Sequence, residues 1–168
     1  MHILVVGGGM GGTILANNLA RRLSGELEQG SSKITMLSAS DKHMYQPGLL
    51  YVAVGKMSTS ELYRDQKSLL EPSIDFHVDP VEKFDLDNNS VTTKSGKKIS
   101  YDILCIATGS RGHAEGIPGL AENSCQFYTE ADAVAMYKKL SKFEGGKVVV
   151  ATGVPHKCPM SPLEITFF

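Results

Sequence analysis

The hydrophobic pattern at the start of the chain predicts a strand, a glycine turn and a helix, in that order. Residues 3–6 form a short apolar run that is rich in β-branched side chains, which is typical of a buried strand. Glycines follow at once, and apolar residues then return at helical spacing: Ile14, Leu15, Leu19 and Leu23, with Ala16 and Ala20 among them. This order is that of a β-α unit in a parallel sheet.

The glycines between these two elements fit the pattern G-x-G-x-x-G, with Gly7, Gly9 and Gly12 at its fixed positions. The first glycine permits a tight turn, the second lets a pyrophosphate approach the backbone, and the third lets the helix pack on the strand. Free amides at the positive end of the helix dipole then face the phosphates. We therefore predict dinucleotide contacts here, including Met10 and Gly11. The alternative is that the glycines only form a turn.

Downstream, the pattern continues as alternating strands and helices. Residues 25–32 are a polar loop, and Lys33–Ser38 is an apolar second strand that completes a βαβ unit. Residues 41–55 predict a loop that leads into a weakly helical apolar run. Residues 60–70 have a helix pattern, which Pro72 closes.

A small antiparallel meander is predicted in the middle of the chain. A short strand at Ile74–Val78 precedes residues 81–86 and Ser90–Thr93, which alternate on either side of a polar turn. Residues 101–107 are a continuous apolar run, which predicts a buried strand. We expect Cys105, inside that run, to be a small core residue.

The last third of the chain has the beginnings of a second α/β unit. Residues 130–143 predict a helix ended by glycines, residues 147–151 predict another buried strand, and a helix begins near Leu163. An apolar end at Phe167 and Phe168 is unusual for a natural surface. We therefore expect an N-terminal piece of a longer protein, with an α/β fold divided into residues 1–112 and residues 113–168.

Composition narrows the class of function. The chain has 168 residues, 42% of them hydrophobic, and a net charge of -1 without a basic block, which gives no reason to expect a nucleic acid partner. Its apolar runs are shorter than the roughly 18 residues of a spanning helix, and its start does not resemble a signal peptide, so we expect an intracellular protein. The cysteines, Cys105, Cys125 and Cys158, are odd in number and irregularly spaced, which predicts neither a disulfide framework nor a metal site.

The end of the second strand favours one dinucleotide over another. In a βαβ unit of this kind an acidic side chain at this place usually binds the adenosine ribose of NAD. Here the place is held by Ser38, and the first acidic residue is Asp41. A serine hydroxyl still hydrogen-bonds a ribose, so the departure weakens the case for NAD at this site and says little against FAD.

Several of these stretches together resemble the two-dinucleotide-fold flavoprotein disulfide reductase superfamily. They are the glycine turn, the meander, and the run Ile106, Ala107, Thr108 and Gly109 after a strand, and they occur in the order usual for that family. The resemblance implies a Rossmann-like FAD-binding fold with an antiparallel meander, followed by the start of a second dinucleotide-binding domain. It also implies that Ala107, Thr108 and Gly109 form a second turn in contact with FAD.

Within the superfamily the chain is most similar to the sulfide:quinone oxidoreductases. Residues 43–55 resemble that family's Tyr-Gln-Pro loop and the apolar stretch that lies against the flavin. Residues 155–164 resemble its redox-cysteine segment, in which a Lys-Cys pair is followed, six residues after the cysteine, by a glutamate. The resemblance spans essentially the whole chain and implies further FAD contacts from Ser38, Ala39, Gln46, Pro47 and Val81.

The family takes up sulfide sulfur on a pair of cysteines and passes electrons through FAD to a quinone. The resemblance implies that Cys158 is one of the pair and that Glu164 is a catalytic proton acceptor or a polar group beside the flavin. Positive charge on His156 and Lys157 would favour the Cys158 thiolate. Simpler alternatives remain: an inert loop thiol at Cys158, and a Glu164 that only complements a helix dipole. Residues 45–47 also suit an ordinary surface turn.

The resemblance places the second redox cysteine, the quinone pocket and any membrane-docking helices outside this chain. Cys125 is the other free candidate for a redox role, although an ungapped match places Thr129 nearer to the family's additional cysteine. We expect sulfide and quinone as substrates, a cytoplasmic location or a peripheral one on the cytoplasmic membrane, and homo-oligomer formation as one option. The rival hypotheses are an NADH:quinone or NAD(P)H-dependent sulfur-compound reductase of the same superfamily, and a folded fragment without catalytic activity.

Overall fold

The computed structural model describes residues 1–153, 158 and 160–168, and these residues form nine strands and six α-helices. In chain order they are β1 (His2–Val6), α1 (Met10–Arg22), α2 (Ser24–Glu28), β2 (Lys33–Ser38), β3 (Lys42–Met44), α3 (Gly48–Ala53), β4 (Tyr63–Asp65), β5 (Ile74–Val78), β6 (Val81–Asp85), β7 (Ser90–Thr93), β8 (Lys98–Ser100), β9 (Ile103–Ile106), α4 (Leu120–Asn123), α5 (Glu130–Leu140) and α6 (Ser161–Ile165). The chain divides into a first unit, Met1–Met44 with Tyr63–Ser110, and a second unit, Tyr45–Leu62 with Arg111–Phe168.

The first unit is organised around a four-stranded parallel sheet in the order β5-β2-β1-β9. β1 lies between two neighbours, and its Leu4 and Val5 have no exposed surface. Alternate side chains leave opposite faces, so Ile3 and Val5 pack in the cluster that includes α1, while Leu4 joins the cluster that includes β7. Burial on both faces explains why this strand is a continuous apolar run and confirms the predicted α/β fold.

Helix α1 covers one face of the sheet with small residues. Its buried residues are Gly12, Thr13, Ala16 and Ala20. Ile14 and Leu15, which the sequence places in the apolar pattern of this helix, are instead exposed by 54% and 36%. Small side chains let the helix approach the strands closely, and Leu19 and Leu23 pack, partly buried, against the same core cluster.

The opposite face of the sheet is covered by the predicted antiparallel meander, which has three strands in the order β6-β7-β8. Val91 of β7 is fully buried against the sheet, and Tyr101 closes the same cluster. The turn after β6 contains Asn89, a non-glycine residue with φ of 46°. Asparagine tolerates this left-handed conformation better than most residues do.

The helix predicted for residues 60–70 is wrong. This stretch contains a 3-10 helix at Thr59–Leu62, the strand β4, and a second 3-10 helix at Lys67–Leu69. In the first unit, β4 pairs with β3 in an antiparallel ladder that joins Lys42 to Asp65. Those ladder bonds replace the hydrogen bonds of a helix, and the sequence pattern carried no sign of the partner strand.

Two further predictions in the first unit need correction. Residues 25–32 are predicted to be a loop, but the first half of this stretch belongs to α2, which ends at Glu28. Strand β9 is present where predicted, yet it is not buried: Ile103 and Ile106 are exposed by 45% and 58%. β9 lies at the edge of the sheet among the described strands, and Cys105 is half-buried at the border of the core rather than inside it.

In the second unit, α3 and α5 pack together through a glycine contact. The ring of Tyr137 lies against the backbone of Gly55, where φ is +74°. Helix α5 confirms the predicted helix but ends at Leu140, well before Gly145 and Gly146. The ring of Phe168 makes an edge contact with Tyr51, with centroids 5.8 Å apart, and about half of its surface stays exposed.

The strand predicted for residues 147–151 is also wrong. Val148 and Val149 are exposed by 62% and 76%, and these residues are assigned no regular structure. A strand requires a neighbour that completes its backbone hydrogen bonds, and none of the described strands pairs with this stretch. Helix α6 begins at Ser161, slightly before the predicted Leu163. None of the helices described is both long and apolar enough to traverse a bilayer.

One ion-pair cluster at the amino-terminal edge of the sheet predicts a pH-dependent contribution to stability. Burial alone would raise the pKa of Asp75, but hydrogen bonds from Lys33 (2.7 Å) and His77 (2.8 Å) hold that pKa below its ordinary value. Since the pKa is lower in the folded chain, the stabilisation is present near neutral pH and lost as the pH falls through the folded pKa.

We expect Asp75→Asn to lower the free energy of unfolding at pH 7 by about 0.5 kcal/mol, a small value because the carboxylate is 38% exposed. The difference from the unchanged chain should vanish below the folded pKa. Urea unfolding across this pH range measures it, with Asp87→Asn in the exposed turn as the control. An effect that grows in acid would contradict the assignment.

Candidate functional site

The glycine turn after β1 is held between β9 and α1 by two close contacts. A β-carbon built on Gly7, whose φ is +116°, would collide with the carbonyl oxygen of Ala107. A β-carbon built on Gly12 would collide with the carbonyl oxygen of Gly7. The amide of Gly7 donates to the carbonyl of Leu37 over 2.8 Å. Only glycine fits these two positions, so the turn, α1 and the end of β9 form one tightly packed corner.

The outer side of the same turn is open. β-Carbons built on Gly9 or Gly11 meet no atom within 4 Å. Gly9 is the N-cap of α1, and no side chain caps this helix. The first amides of a helix lack intrahelical acceptors, so those of Met10, Gly11 and Gly12 are directed toward this opening. Space without side chains beside unpaired amides suits an anionic pyrophosphate.

The end of β2 borders the turn. Ser38 is buried, and its hydroxyl would lie 2.5 Å from a β-carbon built on Gly8. That hydroxyl accepts a hydrogen bond from the amide of Ser40 over 3.2 Å, and Ala39 is exposed. The structure therefore brings Ser38 to the glycine turn, while its contact with a ribose stays a prediction.

A polar cluster, formed by the buried Thr13 and Gln66 and the half-buried His43, lies behind Gly8. Gln66 has no exposed surface, and its Nε2 donates to Thr13 Oγ1 over 2.8 Å. His43 Nδ1 lies 3.0 Å from Gln66 Oε1 and 3.1 Å from the carbonyl oxygen of Gly8. Thr13 Oγ1 donates to the same carbonyl over 3.3 Å. Sequence reasoning missed this cluster.

The spacing of polar residues on α1 could have indicated a role for Thr13. It begins a polar row on α1 with Asn17 and Arg21, each four residues apart, and all three bind the stretch that follows β4. The amide of Asn17 donates to the carbonyl of Leu69 over 2.7 Å, and Arg21 pairs with Glu71 over 2.6 Å. Polar residues with a period of four on a helix that otherwise packs indicate a partner for that face.

The remaining residues predicted in the first unit lie at the end of β9 and the start of β6. The amide of Ala107 donates to the carbonyl of Val6 over 2.7 Å, which extends the β1–β9 pairing to the glycine turn. Thr108 and Gly109 follow as exposed residues, and Gly109 has a φ of +76°. Val81 is half-buried against the cluster that contains Val91. Contacts of these residues with a cofactor stay predictions.

In the second unit, the predicted Tyr-Gln-Pro loop forms a turn at the start of α3. The amide of Gly48 donates to the carbonyl of Tyr45 over 3.0 Å, and the amide of Leu49 donates to that of Gln46 over 3.1 Å. Gln46 is half-buried and Pro47 is exposed. This geometry agrees both with an ordinary turn and with a turn that presents Gln46 and Pro47 to a cofactor.

The predicted catalytic residues also belong to the second unit. Cys158 is a half-buried free thiol, and Glu164 is exposed on α6. The cations expected beside the thiol, His156 and Lys157, lie outside the described residues. Cys125 is exposed. Thr129 has a structural role, because its hydroxyl accepts from the amide of Asp132 over 3.1 Å and so caps α5.

Comparison with known proteins indicates the family to which this chain is related. The chain is 30% identical over 172 residues to the mitochondrial sulfide:quinone oxidoreductase of Mus musculus, a match that spans 99% of this chain and 37% of that protein. It is 37% identical over 152 residues to the sulfide-quinone reductase of Aquifex aeolicus, spanning 89% and 34%. The chain thus spans about a third of the length of the relatives it matches. The resemblance to sulfide:quinone oxidoreductases is confirmed.

Similar solved structures agree with this family and with the fold described above. The structure of the Aquifex aeolicus sulfide:quinone oxidoreductase is similar with a TM-score of 0.70 and 33% identity, covering 84% of this chain and 32% of that one. A structure of NDH2 from Plasmodium falciparum in complex with NADH shares the fold, with a TM-score of 0.60 and 18% identity, covering 82% and 28%. The predicted Rossmann-like fold is confirmed by these likenesses.

The family model described as pyridine nucleotide-disulphide oxidoreductase matches residues 1–154, which is most of the chain. Its members are FAD-binding flavoproteins, so the predicted cofactor is confirmed at the level of the family. The open, uncapped start of α1 above Gly9 fits the pyrophosphate of that cofactor. This chain therefore belongs to the pyridine nucleotide-disulphide oxidoreductase family.

Proposed function

We propose that this chain supplies the first FAD-binding part of an oxidoreductase that transfers electrons from sulfide to a quinone. The observation that carries the proposal is the match to the mouse sulfide:quinone oxidoreductase, which spans 99% of this chain and therefore includes the Cys158 segment. The glycine turn alone would suit many flavoproteins, whereas a Lys-Cys pair followed six residues later by glutamate is specific.

In this proposal the glycine turn binds the cofactor without making any side-chain contact. The amides at the start of α1 donate to the pyrophosphate, the missing side chain of Gly9 leaves room for it, and the buried Ser38 hydroxyl faces the ribose. Ala107, Thr108 and Gly109 border the same corner. The resemblance adds Ala39, Gln46, Pro47 and Val81 as further proposed FAD contacts. FAD, when bound, supplies the two-electron acceptor for sulfide oxidation.

Cys158 is the proposed sulfur acceptor. Its thiolate and a hydrosulfide ion together give a cysteine persulfide anion, a proton and two electrons for which FAD would be the acceptor, so one S–S bond forms, one S–H bond breaks and the sulfur atoms are oxidised. The thiolate is the reactive form of cysteine. Glu164, which lies exposed to solvent in the first turn of α6, is the proposed acceptor of the proton. An inert Cys158 and a Glu164 that only complements its helix are the alternatives.

The test of the function uses the full-length gene product that contains this chain. The purified protein should be yellow, and anaerobic sulfide should bleach its flavin band with two electrons per FAD. A ubiquinone analogue should then restore the band. Bleaching by NADH rather than by sulfide would reject the proposal. The 168-residue chain alone should have no quinone-reducing turnover. Measurable turnover would contradict the proposal that this chain supplies only the first FAD-binding part of the enzyme.

Gly9→Val is expected to weaken FAD binding at least about a hundredfold without unfolding the chain. The new side chain would occupy the open space that the pyrophosphate needs, yet it would meet no atom of the protein within 4 Å at its β-carbon. Fluorescence titration with FAD measures the affinity, and thermal unfolding provides the control for stability. A variant that stays yellow after gel filtration would refute this role of Gly9.

An NAD(P)H-dependent quinone reductase is the second candidate. The alternative NAD(P)H-ubiquinone oxidoreductase C1 of Arabidopsis thaliana is 27% identical to this chain over 158 residues, or 85% of the chain. An enzyme of that kind needs a second glycine turn after residues 147–151, and Thr152, Gly153 and Val154 followed by Pro155 do not supply one. The sulfide and NADH titrations separate these two functions.

The other proposals concern the assembly. A division into residues 1–112 and 113–168, the start of a second dinucleotide-binding domain, peripheral attachment to the cytoplasmic membrane and a homo-oligomer all follow from the resemblance. A third candidate is a folded chain without catalytic activity. Gel filtration with an absorption scan tests it, because a stable, colourless dimer that takes up no FAD would favour it.

A further inference from the structure

The cluster of Thr13, His43 and Gln66 places two potential donors on one backbone atom, the carbonyl oxygen of Gly8. Thr13 Oγ1 approaches this oxygen to 3.3 Å and His43 Nδ1 approaches it to 3.1 Å. Gln66 links the two donors, because its Oε1 lies 3.0 Å from His43 Nδ1 and its Nε2 donates to Thr13 Oγ1 over 2.8 Å. Thr13 and Gln66 are buried, with 7% and 0% of their surface exposed.

The hydrogen-bond directions in this cluster are determined by its chemistry. His43 Nδ1 faces two oxygens that only accept, the Gly8 carbonyl and Gln66 Oε1, so Nδ1 carries the hydrogen. Gln66 then donates from its amide nitrogen to Thr13, which leaves the Thr13 hydroxyl hydrogen for the Gly8 carbonyl. Every buried side-chain polar atom of the cluster has a hydrogen-bond partner. The Thr13 hydroxyl hydrogen and the His43 imidazole hydrogen both point to the carbonyl oxygen of Gly8.

This arrangement has a consequence on the other side of the peptide bond. In a trans peptide group the carbonyl of one residue and the amide N–H of the next point in opposite directions. Holding the Gly8 oxygen toward Thr13 and His43 therefore turns the Gly9 N–H away from them. There is also open space beside this residue, because a β-carbon built on Gly9 meets no atom within 4 Å. A flipped Gly8–Gly9 peptide would instead present an oxygen to an anionic ligand.

We infer that Thr13, His43 and Gln66 are positioning residues that fix the Gly8–Gly9 peptide so that the Gly9 amide faces the FAD pyrophosphate. Two consecutive glycines offer little resistance to a peptide flip, because neither has a β-carbon. The cluster supplies the missing constraint and organises the turn before the ligand arrives, which reduces the entropy lost on binding. This inference rests on the FAD site proposed above.

The test compares two threonine variants of the 168-residue chain. Thr13→Val removes the hydroxyl that faces Gly8 and keeps the shape of the side chain. Thr35→Val is the matched control, because Thr35 is also buried, at 2% exposure, and its hydroxyl bonds His2 Nε2 over 2.8 Å at the amino-terminal end of the sheet. We expect Thr13→Val to weaken FAD binding about tenfold more than Thr35→Val does. Thr13→Ser, which restores the hydroxyl, should recover most of the affinity.

Nuclear magnetic resonance of the same variants, without FAD, provides a second readout. We expect the nitrogen shifts of His43 to show a hydrogen on Nδ1 in the unchanged chain. The Gly9 amide shift should change in Thr13→Val and in Gln66→Met, and not in Thr35→Val. Equal FAD affinities for the two valine variants, with an unaltered Gly9 amide, would overturn the inference while leaving the FAD site intact. A failure of the unchanged chain to bind FAD would overturn the FAD site of this chain and, with it, the proposed role.

Discussion

Cys158→Ser is expected to lower the rate of sulfide-dependent flavin reduction by roughly a thousandfold or more in the full-length gene product. Serine has nearly the same size, so a half-buried side chain at this position should leave the fold unchanged. A hydroxyl neither ionises near neutral pH nor forms an S–S bond with hydrosulfide, so the proposed persulfide cannot form. Anaerobic stopped-flow absorbance of the flavin band measures the rate.

The control for this variant is Cys125→Ser. Cys125 is exposed in the loop before α5, and we expect its replacement to leave the rate near that of the unchanged protein. Retention of the rate in Cys158→Ser would reject Cys158 as the sulfur acceptor. A large loss in Cys125→Ser would instead identify it as a functional thiol, the alternative that the sequence left open.

Gly12→Ala is expected to lower the free energy of unfolding by about 3 kcal/mol and to abolish FAD binding. The new methyl group would collide with the carbonyl oxygen of Gly7. Gly7 has no room to retreat, because its φ is +116° and its own Cα faces the carbonyl of Ala107. The strain therefore spreads into the packing of α1 on the sheet. Urea unfolding followed by circular dichroism measures the change.

The neighbouring Gly11→Ala is the matched control. It adds the same methyl group to the same turn of α1, but at a place where the β-carbon meets no atom within 4 Å. Because alanine favours a helix over glycine, we expect stability to be unchanged or to rise by up to about 1 kcal/mol. Equal destabilisation by both substitutions would show that the corner between β1, α1 and β9 is looser than the structure indicates.

The parts of the fold that the sequence predicted correctly are those in which local pattern and tertiary packing agree. β1 is apolar at consecutive positions because both of its faces are covered, and the glycines that follow are required by the contacts of Gly7 and Gly12. The meander was predictable for the same reason. Its polar turns separate the strands, and its alternation of apolar and polar residues indicates that one face of the meander is buried. In these stretches the local sequence is therefore enough to predict the secondary structure.

The candidate site was predictable only in part, because half of it depends on side chains that meet from distant positions. Gln66 is fully buried and bonds Thr13, 53 residues earlier, and no local pattern distinguishes it from a surface glutamine. Residues 60–70 showed a helical pattern because Leu62 and Leu69 are spaced like one. Their true structure is set by the ladder between β3 and β4 and by the polar row on α1.

Residues 147–151 and β9 show the opposite error. A run of valines predicts a buried strand from its composition, but burial requires a covering layer that composition does not reveal. Val149 is exposed by 76%, and Ile106 on the edge strand is exposed by 58%. In both cases the residues have a high propensity for a strand. The described structure has no neighbouring element that covers their apolar side chains.

The central place of β1 also determines how the protein is made. In the folded chain Ile3 of this strand pairs with Ile34 of β2 on one side and with Ile103 of β9 on the other, so during synthesis its second edge stays unpaired until β9, about 100 residues later, has been made. At typical synthesis rates the delay is roughly five to twenty seconds. During that time a nascent apolar edge is available to chaperones or to other nascent chains. The interval of greatest vulnerability to aggregation is therefore set by the position of β9 in the gene, and codons that slow translation before β9 would prolong it.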